Sequence, residues 1–496
     1  MTDLETATSS NARFPVYRDM SLDLREKRQF LRIAICVGAI SWLLSFLYVA
    51  SVPLFDDEGF YAYAGAAIGQ FLTGHTSFLE MRSAVVGDGW FTPGIPIILA
   101  PIYVFDPTPH YVGLRLYASV LTFLLWIWTL REVYIVFGSR YALAIFIFPS
   151  LDITWHFLAT GTWGDLPSGM LLIIVFGRTW RIAQQIYRGV QIDFGEVLKL
   201  EAILLLTFYL RGNSILVVVA VHIFLLAASV LKFRWRLLPY QTMAIISGMV
   251  ICSAGIAPWS ITASRALGGV VISTSTPALS FGVTFGKENR LCFGPCVKLR
   301  GNIWNRAANF SRIYAAEQGI SQLEAQRRMA IYATHDLTVA EYTRRVRGNF
   351  QRFLFKPAGF TQNRFLPRSG LGLSKQTIEM LGTFSAFSTG ILYFPFLLAL
   401  ALANGFVVIK GQREQLESLC LKMFTLCLLV QPFVHPGHSR YWPVFAPLMA
   451  ISGAFLLKMA TRDRPEDEPG SAVLVAIQGF YVLVVVTTGV ALFLAG

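Results

Sequence analysis

Apolar runs of about twenty residues recur in this chain from residue 31 to its last residues, each long enough to cross a hydrocarbon core of roughly 30 Å. Soluble core helices do not sustain such runs over hundreds of residues. With 54% apolar and only 14% charged residues and a mean hydropathy of +0.54, the chain lies outside the soluble globular range. The expected fold class is an all-α polytopic membrane protein. Its formal charge of +13 does not point to nucleic acid, because the basic residues flank the apolar runs, where lipid headgroups and membrane orientation account for them.

Eleven spans are expected, at 31–54, 113–136, 141–157, 163–180, 198–211, 213–232, 240–260, 386–408, 417–434, 441–458 and 472–494. Every second short connection is basic: Arg140; Arg181, Arg188 and Lys199; Lys232, Arg234 and Arg236; Lys410 and Arg413; Lys458, Arg462 and Arg464. The alternate connections carry Arg82, Arg211 and Arg440. Positive-inside bias therefore places the N-terminus in the cytoplasm and the C-terminus outside. Residues 1–30 are polar, with Arg13, Arg18, Arg25, Lys27 and Arg28. The first apolar run has full spanning length and no cleavage-site pattern follows it, so it reads as a retained anchor. The domain expectation is a cytoplasmic segment 1–30, a transmembrane module 31–260 that includes a first outside loop 55–112, an outside loop domain 261–385, and C-terminal helices 386–496.

Within the first outside loop, residues 93–105 are apolar but too short and too rich in proline (Pro93, Pro96, Pro101) to span. They should lie along the membrane surface or dip into it. The larger loop shows a helical pattern over 313–334, through Ile313, Glu317, Ile320, Leu323, Met329 and Ile331. Cys292 and Cys296 in a polar loop lack the partners of a zinc site, and a local disulfide is expected if that loop faces an oxidising compartment. Cys36, Cys252, Cys420 and Cys427 lie in or beside apolar runs and read as small hydrophobes.

Asp56, Asp57 and Glu58 follow the first span and begin a helix-like stretch. Acids there cap a helix, or they serve as a general base beside the membrane, where partial desolvation raises a carboxylate's proton affinity. Asp165 opens the fourth span at the same face; it either caps that helix or faces a cavity. Arg211 and Arg440 stand at outside turns, where an arginine snorkels or binds a phosphate. His435 and His438 could join a metal site. The convergence of acids and guanidiniums at one face suits transfer from a lipid phosphate: arginine neutralises the leaving phosphate while a carboxylate deprotonates an acceptor hydroxyl.

Several stretches, in order, resemble the GT-C glycosyltransferases, in the branch that includes protein O-mannosyltransferases and the aminoarabinose transferase acting on lipid A. They are Asp57-Glu58 with its aromatic helix, Val112-Gly-Leu-Arg115-Leu, Leu158-Ala-Thr-Gly-Thr-Trp-Gly-Asp165, Ala257-Pro-Trp-Ser with Ile272-Ser-Thr274, and Arg440-Tyr-Trp-Pro443-Val-Phe-Ala-Pro447. The resemblance runs from about residue 50 to 460 and implies a GT-C-like fold. It also implies sugar transfer with inversion from a polyprenyl-phosphate donor, at the periplasmic or other outer face of the cytoplasmic (inner) membrane. The acceptor would be lipid A or core oligosaccharide, another envelope glycan, or a protein. Asp57 would then be the base, with Glu58 and Asp165 as further catalytic acids and Asp56, Tyr61 and His438 in support. The family's Lys-Pro-Pro reads Phe91-Thr92-Pro93-Gly94 here, and its arginine after Pro-Trp is replaced by Thr262. Arg211 therefore leads the candidates for the donor phosphate, followed by Arg82, Arg265 and Arg440. A divalent metal ion stays open as a cofactor.

Two other readings compete. A transporter or flippase for polyprenyl-linked glycans would carry charges at mid-span and often a repeat of halves; here ionisable residues gather at span ends, and no repeat is visible. A polymerase or ligase would use a similar donor without needing an acidic first loop.

Overall fold

The structure, a computed structural model, describes residues 20–150, 153–233, 240–296, 302–356, 359, 368, 374–409, 412–437, 439–461 and 471–494. Among these residues there is no strand. The N-terminal half holds α1 (Met20–Val49), α2 (Asp57–Leu72), α3 (Phe78–Val86), α4 (Gly94–Phe105), α5 (Tyr111–Phe137), α6 (Ser139–Ser150), α7 (Ile153–Ala159), α8 (Asp165–Arg188), α9 (Phe194–Leu210), α10 (Ile215–Phe233) and α11 (Tyr240–Leu267). The large segment after it holds α12 (Pro277–Phe285), α13 (Ile303–Gln318), α14 (Gln322–Thr334) and α15 (Val339–Leu354). The chain continues through α16 (Lys375–Gly405), α17 (Gln412–Leu429), the short α18 (Gln431–Val434), α19 (Trp442–Ala460) and α20 (Ala472–Leu494).

Eight helices among the described residues, α1, α5, α8, α10 with its lead-in, α11, α16, α17 running into α18, and α20, are long and apolar enough to cross a membrane. The protein is an integral, multi-pass membrane protein. The other three expected spans correspond to shorter elements: 141–157 is divided between α6 and α7, 198–211 is the 17-residue α9, and 441–458 is α19. Helices are the natural outcome, since lipid offers backbone N–H and C=O groups no partners.

At the centre stands α8, packed against α5, α9, α10, α17 and α19. It is the least apolar of the eight, yet 94% of its central window lies inside the protein, against 11% for α20. In lipid the outermost helices must be apolar all round, whereas an enclosed one tolerates Ser168 and Thr179. Exposed Leu44, Leu47 and Phe387 mark the lipid-facing surface. The central position of α8 matters because its first residue is Asp165.

The apolar stretch 93–105 forms α4, 12 residues long, packed on α2 and α9. The helical pattern expected over 313–334 is two helices, not one. Gly319 ends α13 with a left-handed φ of 62°, and Ser321 starts α14 by accepting the Glu324 N–H at 3.2 Å. Helices α12 to α14 enclose a small core of Leu279, Leu291, Ala307 and Met329, against which Cys292 and Cys296 are joined by a disulfide. Trp90, from the segment between α3 and α4, packs on this core. Asp88 beside it accepts from Arg312 at 3.1 Å and Gln322 at 3.3 Å, so the first and the large segment form one wall.

Ionisable residues are not confined to span ends. Glu201 on α9 and His222 on α10 pair at 3.1 Å inside the bundle, and Lys422 on α17 donates to the Ala403 carbonyl at 2.9 Å. Each finds a partner on a neighbouring helix, which makes its burial tolerable.

Candidate active site

The three acids after α1 take three different positions. Asp56 sits at the N-cap of α2 with φ 51°, a left-handed value that is costly for a residue with a Cβ, and its side chain makes no capping hydrogen bond. As the first two residues of α2, Asp57 and Glu58 point about 100° apart around the helix axis.

Glu58 is fully buried and points into the protein. Both its oxygens accept from the Arg115 guanidinium, at 2.9 and 2.8 Å, and Oε1 also accepts the Thr162 N–H at 3.0 Å. Arg115 donates further to the carbonyls of Val52 at 3.0 Å and Pro53 at 3.1 Å. Burial pushes the Glu58 carboxyl up, against the pull of Arg115 and the Thr162 amide. The pair ties three segments together: the end of α1, the start of α5 and the link before α8. Glu58 does not line the site cavity.

Asp57 faces that cavity and accepts from Arg440 Nη1 at 2.7 Å. Arg440 Nε lies 3.6 Å from Asp165, and the other oxygen of Asp165 is ion-paired with Arg211. Acid and base thus alternate in a chain Asp57–Arg440–Asp165–Arg211. Asp165 can meet Arg211 because Gly164 and Gly94 press against the C-terminal end of α9. A Cβ at Gly164 would lie 2.2 Å from the Leu210 carbonyl oxygen, and one at Gly94 would lie 2.3 Å from that of Tyr209. Both guanidiniums rest on Tyr441, with Cζ of Arg211 4.4 Å and Cζ of Arg440 5.1 Å from its ring centre. Burial lowers Arg211 to about 10, which leaves it charged at neutral pH. Burial opposes the charge on Arg440 as well, but Asp57 and the neighbouring tyrosines raise it overall. Burial and the Asp57 carboxylate raise the Tyr61 hydroxyl, so it stays protonated.

Two cavities meet here. A polar one of about 470 Å³ is lined by Asp56, Asp57, Tyr61, Asp165, Arg211 and Arg440, and by Asp88, Trp90, Asn302, Trp304 and Asn305 from the joined wall. A second, of about 490 Å³, is lined mainly by apolar side chains such as Leu216, Val217, Phe281, Leu428 and Phe445. Arg211, Asn213, Thr274, Thr276, His435 and Tyr441 line both.

Of the residues singled out from sequence, Asp57, Asp165, Arg211, Arg440, Asp56 and Tyr61 converge on the polar cavity. Arg82 and the exposed Arg265 are not among its lining residues, and His438 lies outside the described residues. His435 stacks on Trp304 at 5.5 Å, and burial lowers it to about 4. No group of three or more His, Cys, Asp or Glu is placed to hold a metal ion among the described residues; the charges of Asp57 and Asp165 are met by arginine. Three contributors escape the sequence reading: Tyr441, Trp304, and Arg115 as the partner of Glu58. A charged residue five positions into an apolar run was the available signal for Arg115.

No protein-family model matches this chain, and no curated protein matches it. Among solved structures it is similar to the oligosaccharyltransferase of Archaeoglobus fulgidus in complex with Zn and sulfate, with 11% identity and a TM-score of 0.43, over 92% of this chain and 52% of that one. AglB from the same organism, with an inhibitory peptide and a dolichol-phosphate, gives 12% identity and a TM-score of 0.41, over 95% and 55%. ArnT from Cupriavidus metallidurans bound to undecaprenyl phosphate gives 14% and 0.35, over 92% and 85%. The chain spans about half the length of the oligosaccharyltransferase chains it matches.

Proposed function

We propose that this chain is a membrane glycosyltransferase that moves a sugar from a polyprenyl-phosphate donor to an acceptor hydroxyl at the outer face of the cytoplasmic membrane. The observation that carries this reading is the junction of the two cavities. An apolar cavity ends at Arg211 and Tyr441, where a polar one begins, matching a ligand with a hydrocarbon tail, a phosphate and a sugar in that order. The motifs that resemble GT-C glycosyltransferases fall on the same residues, Asp57, Asp165 and Arg440.

The donor phosphate is held by Arg211 and Arg440, which leave their carboxylates in part to receive it. Asp57 takes the proton of the acceptor hydroxyl as its oxygen bonds to the sugar's anomeric carbon. The bond from that carbon to the phosphate oxygen breaks, and the electron pair stays on the departing polyprenyl phosphate, whose charge the arginines neutralise. Attack opposite the leaving phosphate inverts the anomeric carbon. Glu58, sealed against Arg115, supports the geometry and does not act on substrate.

The transport reading draws on the mid-span pair Glu201–His222. That pair is buried within the bundle and lines neither of the two cavities. A polymerase or ligase would share the donor and differ in its acceptor.

Asp57→Asn keeps the side chain's size but not its proton affinity. It should lower transfer by about 10²–10⁴-fold while polyprenyl phosphate still binds. Arg211→Ala should instead weaken polyprenyl phosphate binding, because the phosphate loses a charge-assisted partner. Both are measured on purified protein in nanodiscs. Near-normal turnover by Asp57→Asn would remove Asp57 as the base.

A further inference from the structure

The polar cavity has two ends of different chemistry. One holds the four alternating charges. The other, walled by the joined first and large segments, carries two indoles, two amides and one carboxylate: Trp90, Trp304, Asn302, Asn305 and Asp88. Among the described residues no lysine or arginine lines that end, and Arg312 close by pairs with Asp88 at 3.1 Å.

The indoles are held in place. Trp304 stacks on His435 at 5.5 Å with 24° between the planes, and Trp90 lies edge-on to Phe91 at 6.5 Å while packing on the large-segment core. The Nε1–H of Trp90 is enclosed and meets no acceptor among the described residues. Asn302 uses Oδ1 to accept the Asn305 N–H at 2.9 Å, which leaves its Nδ2 as a donor. Flat apolar faces beside fixed donors and acceptors suit a ring that is apolar on its face and hydroxylated at its edge.

We infer that this end of the cavity is an acceptor subsite for the pyranose ring of a glycan, stacked between Trp90 and Trp304, with its hydroxyls on Asn302, Asn305 and Asp88. The inference rests on the transferase reading above and names a sugar hydroxyl as the acceptor. A site built to hydrogen-bond hydroxyls discriminates against ligands that lack them, because its polar groups would otherwise stay unpaired.

The test is binding, read without turnover in the Asp57→Asn protein in nanodiscs, with and without undecaprenyl phosphate. Saturation-transfer NMR with methyl mannoside, N-acetylglucosamine and maltotriose as probes should show contact at the ring protons. The signal should fall at least tenfold in Trp90→Ala and Trp304→Ala and persist in Trp304→Phe, which keeps an aromatic face. Bound undecaprenyl phosphate, unchanged in every variant, certifies the fold. Sugar contact that survives loss of both indoles overturns the inference. So does contact by glycerol phosphate or an acetylated Ser/Thr tripeptide in place of all the sugars, or no contact by any sugar. Failure of the wild-type protein to bind undecaprenyl phosphate while sugars still touch the indoles would instead overturn the donor reading and leave this subsite standing.

Discussion

At the scale of single residues, neighbouring acids have separated roles because successive residues of one helix point to different sides of it. Asp57 faces the cavity; Glu58 is locked to Arg115 with no exposed surface. Breaking a buried pair strands a charge, so Glu58→Gln or Arg115→Leu alone should destabilise the protein by about 3–5 kcal/mol. Replacing both by apolar residues of similar volume should recover most of that loss. Thermal unfolding in nanodiscs reads the cycle, and a double variant no better than the singles would show that the pair is not the source of the effect. Much of the site is legible in the sequence, since Asp57, Asp165, Arg211 and Arg440 all interrupt or end apolar runs at one face. Which acid points where is not legible, because it depends on contacts across more than fifty residues, as between Glu58 and Arg115.

At the scale of elements, apolar length identifies the long helices well and their breaks poorly. The passage from α6 to α7 within 141–157 has its mark in Pro149 and Asp152, which an average of hydropathy passes over. The break between α13 and α14 leaves one too: Gly319 followed by Ser321 and Glu324, an end signal and a start signal that the spacing of apolar residues overrides in a sequence reading. The mid-helix pair Glu201–His222 is invisible for a different reason, since only packing brings the two residues together. The disulfide Cys292–Cys296 follows from sequence because the two residues are close in the chain and share a polar loop. Closing so short a loop is worth about 2 kcal/mol. Replacing both cysteines with serine should lower the thermal stability of the large segment, read by protease susceptibility, and leave undecaprenyl phosphate binding intact. Loss of that binding would mean that the large segment shapes the donor site directly.

At the scale of the whole molecule, the proposed reaction requires that the cavity end of the bundle lie outside the cytoplasm, as the charge bias of the short connections leads one to expect. A phosphatase reporter inserted at the exposed turn after Gly319 should be active, and one at Gln412 inactive; a cytoplasmic reporter should show the reverse. Swapped activities would place Asp57 in the cytosol and sink the proposed reaction compartment. The central helix α8 carries Asp165 to the middle of this end, where α9 brings Arg211 and the loop before α19 brings Arg440.

The chain Asp57–Arg440–Asp165–Arg211 contains two negative and two positive groups, so it sums to zero. A site with no excess of positive charge does not draw an anionic lipid over long distances, and recognition must be made by contact. On the proposed reading, phosphate and Asp165 compete for the same two guanidiniums, which would give Asp165 a part in letting the spent lipid go. Asp165→Asn should therefore hold polyprenyl phosphate more tightly, with an affinity that weakens steeply as salt is raised, while the wild type responds little between low and physiological ionic strength. Its turnover should fall because product leaves slowly, visible as a burst of transfer followed by a slower steady rate. Weaker lipid binding in that variant, or a salt response equal to the wild type's, would show that Asp165 does not oppose the phosphate.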